Sequence, residues 1–103
     1  MLKENIELLN KNLSFERLNN AEITTCIELA YILREYANDE LLELNDTIRN
    51  YSNDGIYTFG LFVLFCYNEY CKGRYWDIYE FLNCEIKKCT ENFIKRYFEE
   101  KEN

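Results

Sequence analysis

The sequence predicts an all-α protein, a compact bundle of five to six helices that forms one domain over residues 1–103. Hydrophobic residues make up 48% of the chain and aromatic residues 17%, which is too apolar for a disordered protein. Pro is absent and only 3 Gly occur, so long helices with few sharp turns are favoured. Apolar side chains also recur at helical spacing along nearly the whole chain, and a chain of this length can bury one core without a metal or a disulfide.

Three helices are predicted in the first half of the chain, at about residues 2–12, 21–37 and 39–51. Residues 14–19 connect the first two. Asn20 is the expected N-cap of the second helix, because its side chain can accept a hydrogen bond from the first turn. The apolar stripe of the second helix that should face the core consists of Ile23, Cys26, Ile27, Ala30, Leu33 and Ala37.

The fourth predicted helix, at about residues 55–72, is apolar on nearly every face and is therefore expected at the centre of the bundle. Gly73 should end it as a C′ glycine. A β-strand is the alternative for residues 57–67, but no other segment alternates with period two to pair with it. The apolar run 56–67 is also shorter than the roughly 20 residues that a membrane-spanning helix needs, so no membrane contact is expected.

Two further helices are predicted at about residues 74–82 and 85–100. The chain begins with charged residues where a signal peptide would be apolar, so a cytoplasmic location is expected.

The 5 Cys are interpreted as small buried hydrophobic residues, because disulfides are rare in the cytoplasm. A zinc site is the alternative, since two C-x4-C pairs could supply four thiolates. The pairs are Cys66 with Cys71 and Cys84 with Cys89. Residues five apart on a helix point about 140° away from each other, and no metal is therefore predicted.

The net charge of −7 lies entirely within residues 18–71, which hold 9 acidic residues against 2 basic ones. On the second predicted helix, Glu28 and Glu35 lie about 20° apart around the axis, with Tyr31 and Ile32 beside them. Further acidic residues share one face of the third predicted helix. If these two helices form a hairpin, the faces merge into the predicted partner-binding surface: Glu28, Tyr31, Ile32, Glu35, Asp39, Glu40, Glu43 and Asp46.

This acidic surface has two interpretations. It can be a solvated face that keeps a small protein in solution. It can also be a docking surface for a protein partner with a basic surface, such as a nucleic-acid groove. Direct binding of nucleic acid is not expected, because its affinity comes mainly from neutralising phosphates with Lys and Arg.

A cluster of aromatic residues surrounds Lys72 and Arg74. The favoured interpretation is that the rings fill the core, with their polar atoms reaching partners. The alternatives are a protein contact, since Trp, Tyr and Arg dominate binding hot spots, and stacking on nucleic-acid bases. The aromatic members are Tyr67, Tyr70, Tyr75, Trp76 and Tyr79.

The sequence indicates a protein that is not an enzyme. His is absent, which removes nucleophile–His pairs, His-ligated metals and the commonest general base. No Gly-rich phosphate loop or calcium-binding loop occurs. No catalytic residue and no cofactor are predicted.

The predicted function is stoichiometric binding to a basic, nucleic-acid-handling protein as its inhibitor. The abundance of Asn, Ile, Lys, Tyr and Phe, with little Ala, indicates AT-rich codons and hence a low-GC bacterium, or a phage or mobile element within one. Anti-CRISPR and other anti-defence inhibitors fit this profile, because the grooves of their targets are basic. The alternative is a homo-oligomeric structural or accessory module, such as a homodimer that buries the last two helices across a twofold axis.

Overall fold

α-Helices account for most of the chain that the structure describes. The computed structural model describes residues 13–35, 39–51 and 55–98, together with Glu7 and Lys11. After a short 3-10 turn at Phe15–Arg17, the helices are α1 (Asn20–Glu35), α2 (Asp39–Tyr51), α3 (Gly55–Lys72) and α4 (Ile78–Tyr97). No strand occurs in these ranges, so the all-α prediction is confirmed and the alternative of a strand at 57–67 is wrong.

The helix α3 is the central element, as its composition predicts. Residues 61–66 are all buried, and consecutive buried positions cover every face of a helix. α1 and α4 both pack against α3, whereas α2 packs mainly against α4 and touches α3 less. The predicted hairpin of the second and third helices is therefore not a main packing unit.

The core between α3 and α4 is a cluster of aromatic rings around Phe93, which is fully buried. Its ring lies 5.2 Å from Phe62 and 5.5 Å from Phe65, measured between centroids, and both pairs meet edge to face. Tyr97 and Phe98 lie at 5.4 and 5.8 Å on the same helix end. Tilted and edge-to-face geometry at these distances is favourable for aromatic pairs, so Phe93 locks α4 onto α3.

The start of α1 is capped one residue earlier than predicted. The Asn19 N–H donates to Glu22 Oε1 at 3.1 Å, and the Glu22 N–H donates to Asn19 Oδ1 at 2.9 Å. This reciprocal pair is a capping box, so Asn19 takes the role expected of Asn20. The second carboxylate oxygen of Glu22 accepts from the Tyr67 hydroxyl at 3.4 Å, which ties α1 to α3.

The core-facing side of α1 is rotated from the predicted stripe. Cys26, Leu29 and Leu33 are buried, and Leu29 was not part of that stripe. Ile27, which was, is 51% exposed. At 100° per residue the buried face is turned by about 60° relative to the prediction, because α1 packs on α3 through the Leu29 side.

One continuous helix, α4, replaces the two helices predicted at 74–82 and 85–100. It begins later than predicted because Asp77 is its N-cap and accepts from the Glu80 N–H at 2.9 Å. The predicted break near residues 83–84 is wrong, since neither Asn83 nor Cys84 is a helix breaker of the Gly or Pro kind.

Gly73 follows α3 as expected, and its N–H donates to the Tyr70 carbonyl at 3.3 Å. It is not the predicted left-handed cap, because no described glycine has a positive φ. Its requirement is steric instead, since a Cβ at this position would run into the ring of Tyr75.

Some predictions fall outside the described residues. These are nearly all of the helix at 2–12 and the ends of the helices at 21–37 and 85–100. Within the described ranges, no helix combines the length and the apolar character needed to cross a membrane.

Candidate functional site: an acidic and aromatic groove

A groove of about 600 Å³ lies between α1 and the start of α4. The α1 wall is a stripe spaced three or four residues apart, which a helix places on one face. The other wall comes from the end of α3, the connector and the first residues of α4. We call it the acidic–aromatic groove, and its lining residues are Thr25, Glu28, Tyr31, Ile32, Glu35, Tyr70, Trp76, Asp77, Ile78 and Tyr79.

The connector between α3 and α4 is anchored by aromatic packing. Tyr75 stacks on Tyr70 at 6.2 Å between centroids and meets Phe81 edge to face at 5.1 Å. With Tyr75 held inward, the next residue, Trp76, points into solvent and is 93% exposed. The position of the indole at the groove thus follows from the packing of its neighbour.

Large aromatic surfaces in the groove are open to solvent. Besides Trp76, Tyr31 is 64% and Tyr79 is 56% exposed. Such residues dominate the energetics of protein interfaces when they become buried. Among the described residues the cation–π contact is Arg96 over Tyr97, and it does not involve any of these three rings.

The groove is negatively charged. Glu28, Glu35 and Asp77 contribute carboxylates, and no Lys or Arg is among the described lining residues. Glu28 and Glu35 are both exposed, and no described residue forms an ion pair with either. The combination of unpaired carboxylates and open aromatic faces is suited to binding guanidinium or ammonium groups.

A second, larger groove of about 800 Å³ is lined by α1, α2, α3 and the 3-10 turn. It is mostly apolar, and Ile56 on its wall is 86% exposed. We call it the apolar groove, and its lining includes Phe15, Ile27, Leu33, Leu41, Ile56, Phe59 and Val63, with Arg34, Asp46 and Arg49 as its charged members.

The structure divides the predicted partner-binding residues. Glu28, Tyr31, Ile32 and Glu35 all line the acidic–aromatic groove. Asp46 lines the apolar groove instead, because the described residues of α2 pack mainly against α4 rather than against α1. The side chains of Asp39, Glu40 and Glu43 lie outside the described part of the structure.

The predicted aromatic cluster is also divided. Tyr67, Tyr70 and Tyr75 are partly buried against the core, in agreement with the core-filling interpretation. Trp76 and Tyr79 are exposed, which contradicts that interpretation for these two residues. Asp77 is a lining residue that the prediction lacks, although its position before an apolar helix is a typical N-cap signal.

The cysteines do not assemble into a metal centre in the ranges that the structure describes, where no group of three or more ligand side chains is close enough. Cys66 and Cys89 are buried, whereas Cys71 and Cys84 are exposed. Burial, followed by a hydrogen bond with Cys89, raises the pKa of the Cys66 thiol well above its usual range. Burial also raises the pKa of Cys26 from 9.0 to about 11, so these two thiols are neutral and unreactive at ordinary pH.

Two tyrosines near the connector, Tyr67 and Tyr75, also have raised pKa values. A hydrogen bond with Cys71, followed by burial, raises the pKa of the Tyr67 hydroxyl. The pKa of Tyr75 is raised by burial and by the neighbouring Glu85 carboxylate. Both hydroxyls therefore act as neutral hydrogen-bonding groups that support the fold.

Comparison of the chain with protein-family models, curated proteins and solved structures gives no significant match.

Proposed function

We propose that this chain is a stoichiometric protein-binding inhibitor that docks through the acidic–aromatic groove onto the basic surface with which a partner holds nucleic acid. The observation that supports this most is the exposure of Trp76, Tyr31 and Tyr79 in the same groove as the exposed carboxylates of Glu28 and Glu35. A solvated face needs the charges but has no use for three open aromatic rings.

The proposed mechanism is competition. Glu28 and Glu35 take the place of phosphates opposite Lys and Arg of the partner, while the aromatic rings bury against the stems of those side chains. Charge attraction of this kind speeds association and weakens as salt is added. The anti-CRISPR or wider anti-defence class is proposed on this mechanism together with the AT-rich residue usage.

The test compares three versions of the protein as bait in a nuclease-treated lysate of a low-GC bacterium. They are the unaltered chain, the groove variant Glu28→Lys/Glu35→Lys, and the control variant Glu16→Lys/Glu91→Lys. The two variants change the net charge equally, and the control residues are exposed and lie outside the groove.

A basic protein captured by the unaltered chain and the control, but not by the groove variant, is the expected result. That protein, once purified, should lose its nucleic-acid binding on adding one equivalent of this chain. Equal capture by all three baits, or a captured protein that still binds nucleic acid in the complex, would count against the inhibitor mechanism.

A second candidate function, a homo-oligomeric module, is favoured by the apolar groove. Its occupant would be a second copy of this chain, because its lining carries both Arg34 and Arg49 and the acidic Asp46. Opposite charges on one patch can pair across a twofold axis. The exposed Ile56 would then be the residue that gains most burial.

Sedimentation velocity under reducing conditions separates the two functions. Dimerisation that is lost in Ile56→Glu and kept in Asn92→Glu, an exposed position on α4, would support the module. A monomer at all concentrations would rule it out.

A further inference from the structure

The acidic–aromatic groove has a repeat distance that specifies the shape of its occupant. Glu28 and Glu35 lie seven residues apart on α1, which is about 10.5 Å along the helix axis. Both point to nearly the same side, about 20° apart. Between them lie Tyr31 and the half-buried Ile32. The wall therefore presents a charge, an apolar centre and a second charge in a straight line.

A β-strand does not match this spacing. Its residues advance by about 3.3 Å, so 10.5 Å corresponds to roughly three residues, and residues an odd number apart point to opposite faces. An α-helix does match it, because residues seven apart share one face at the same 10.5 Å. Helix-in-groove binding uses anchors at these positions.

The chemistry of the groove favours Arg over Lys. A planar guanidinium can stack on an aromatic face while it forms two hydrogen bonds with a carboxylate. An ammonium is compact and strongly hydrated, and it does not stack in this way. Trp76 is the best acceptor for such stacking among the aromatic side chains, and it is almost fully exposed.

We propose that the groove receives one α-helix of the partner protein, with two arginines seven residues apart opposite Glu28 and Glu35 and an apolar residue between them. This inference rests on the proposed docking of a basic partner in the same groove. It adds the secondary structure, the register and the residue type of the contact.

The fluorescence of Trp76 reports binding in the groove, because Trp76 is the single tryptophan of the chain and lines the groove. Three capped, Ala-based helical peptides of equal length are titrated into the protein and followed by tryptophan emission and by amide shifts. The first has two arginines seven apart with a leucine midway, the second has the same composition with the arginines nine apart, and the third has lysines seven apart. At a spacing of nine the two side chains lie about 180° apart. Circular dichroism verifies that the peptides are equally helical.

The seven-spaced arginine peptide should bind about tenfold more tightly than the nine-spaced one, since the latter loses one ion pair and one stacking contact. It should also bind more tightly than the lysine peptide. The variant Glu28→Lys/Glu35→Lys should bind all three peptides equally weakly. Equal binding of both arginine peptides would overturn the helical register while leaving a charge-driven dock intact. Equal binding of lysine and arginine would overturn the choice of arginine. Absence of all peptide binding, with capture of a basic partner still dependent on Glu28 and Glu35, would overturn the inference and spare the proposed function.

Discussion

The backbone N–H of Trp76 donates to Glu80 Oε2 at 2.6 Å, across the first turn of α4. Glu80 in turn donates its own N–H to Asp77 Oδ1 at 2.9 Å. The two bonds form a variant of the capping box, in which the returning carboxylate reaches the residue before the N-cap. The backbone that carries the exposed indole is therefore fixed, although the indole itself has little packing.

Glu80→Ala should reduce both stability and binding. Loss of the cap interaction should lower the free energy of unfolding by about 1 kcal/mol. Affinity for the seven-spaced arginine peptide should also fall several-fold, because Trp76 is no longer held at the groove. Glu80→Gln, which keeps an acceptor oxygen, should restore most of the affinity. Reduced stability with unchanged affinity would show that Glu80 does not position Trp76.

Phe93→Ala should be among the most damaging single changes. Removing a fully buried ring from a cluster of four neighbouring rings leaves a cavity, and such changes cost about 3–5 kcal/mol. Total stability of a domain is about 5–15 kcal/mol, so urea unfolding by circular dichroism should shift to much lower concentration. Tyr79→Ala, at an exposed position, should stay within about 0.5 kcal/mol of the unaltered protein. A small effect of Phe93→Ala would mean that the ring cluster is not the core.

Gly60 and Gly73 should respond oppositely to substitution by alanine. A Cβ at Gly60 would meet only Phe15 Cε2, at an ordinary 3.9 Å. Gly60→Ala should therefore stabilise the protein by about 0.5–1 kcal/mol through higher helix propensity. Gly73→Ala should instead destabilise it by about 1–3 kcal/mol, because Tyr75 must leave its place between Tyr70 and Phe81. Thermal unfolding of both variants tests the pair, and a stabilising Gly73→Ala would contradict the described packing.

Stability should decrease at alkaline pH. The pKa of Cys26 rises from 9.0 to about 11 on folding, and those of Cys66, Tyr67 and Tyr75 are also raised. At a pH between the lower pKa of the unfolded state and the higher pKa of the folded state, the native protein binds more protons than the unfolded chain. The free energy of unfolding therefore falls as the pH rises above about 9, and these groups contribute no slope below it. Urea unfolding from about pH 8 to 10.5 in reductant measures this slope, and Cys26→Ala should make it shallower.

The approximate positions of the helices follow from local sequence, but their exact ends and the faces that they bury depend on tertiary contacts. Residues 55–72 are so uniformly apolar that both the helix and its central place could be predicted. The start of α4 could not be predicted in this way. The apolar pattern already begins at Tyr75, whereas the capping bonds of Asp77 and Glu80 start the helix at Ile78. The rotation of α1 toward Leu29 depends on which side meets α3, and periodicity alone does not determine that side.

The α1 wall of the acidic–aromatic groove could be predicted, and the opposite wall could not. Glu28, Tyr31, Ile32 and Glu35 share a face by helical geometry alone. Trp76 and Tyr79 line the same groove because of where the connector and the start of α4 lie, and the connector is held by the packing of Tyr75 on Tyr70 and Phe81. The prediction that Asp46 lies on the same surface assumes that α1 and α2 form a hairpin. The described residues of α2 instead pack mainly against α4.

The aromatic core is shared between two helices, α3 and α4, that lie on opposite sides of the connector in the sequence. The rings of Phe62 and Phe65 come from α3 and that of Phe93 from α4, so neither half of the cluster can be shielded from water alone. A backbone cut in the connector at 73–77 would yield two fragments that are each poorly structured. Mixed together, they should regain the native fold by complementation, with the acidic–aromatic groove reassembled at the site of the cut.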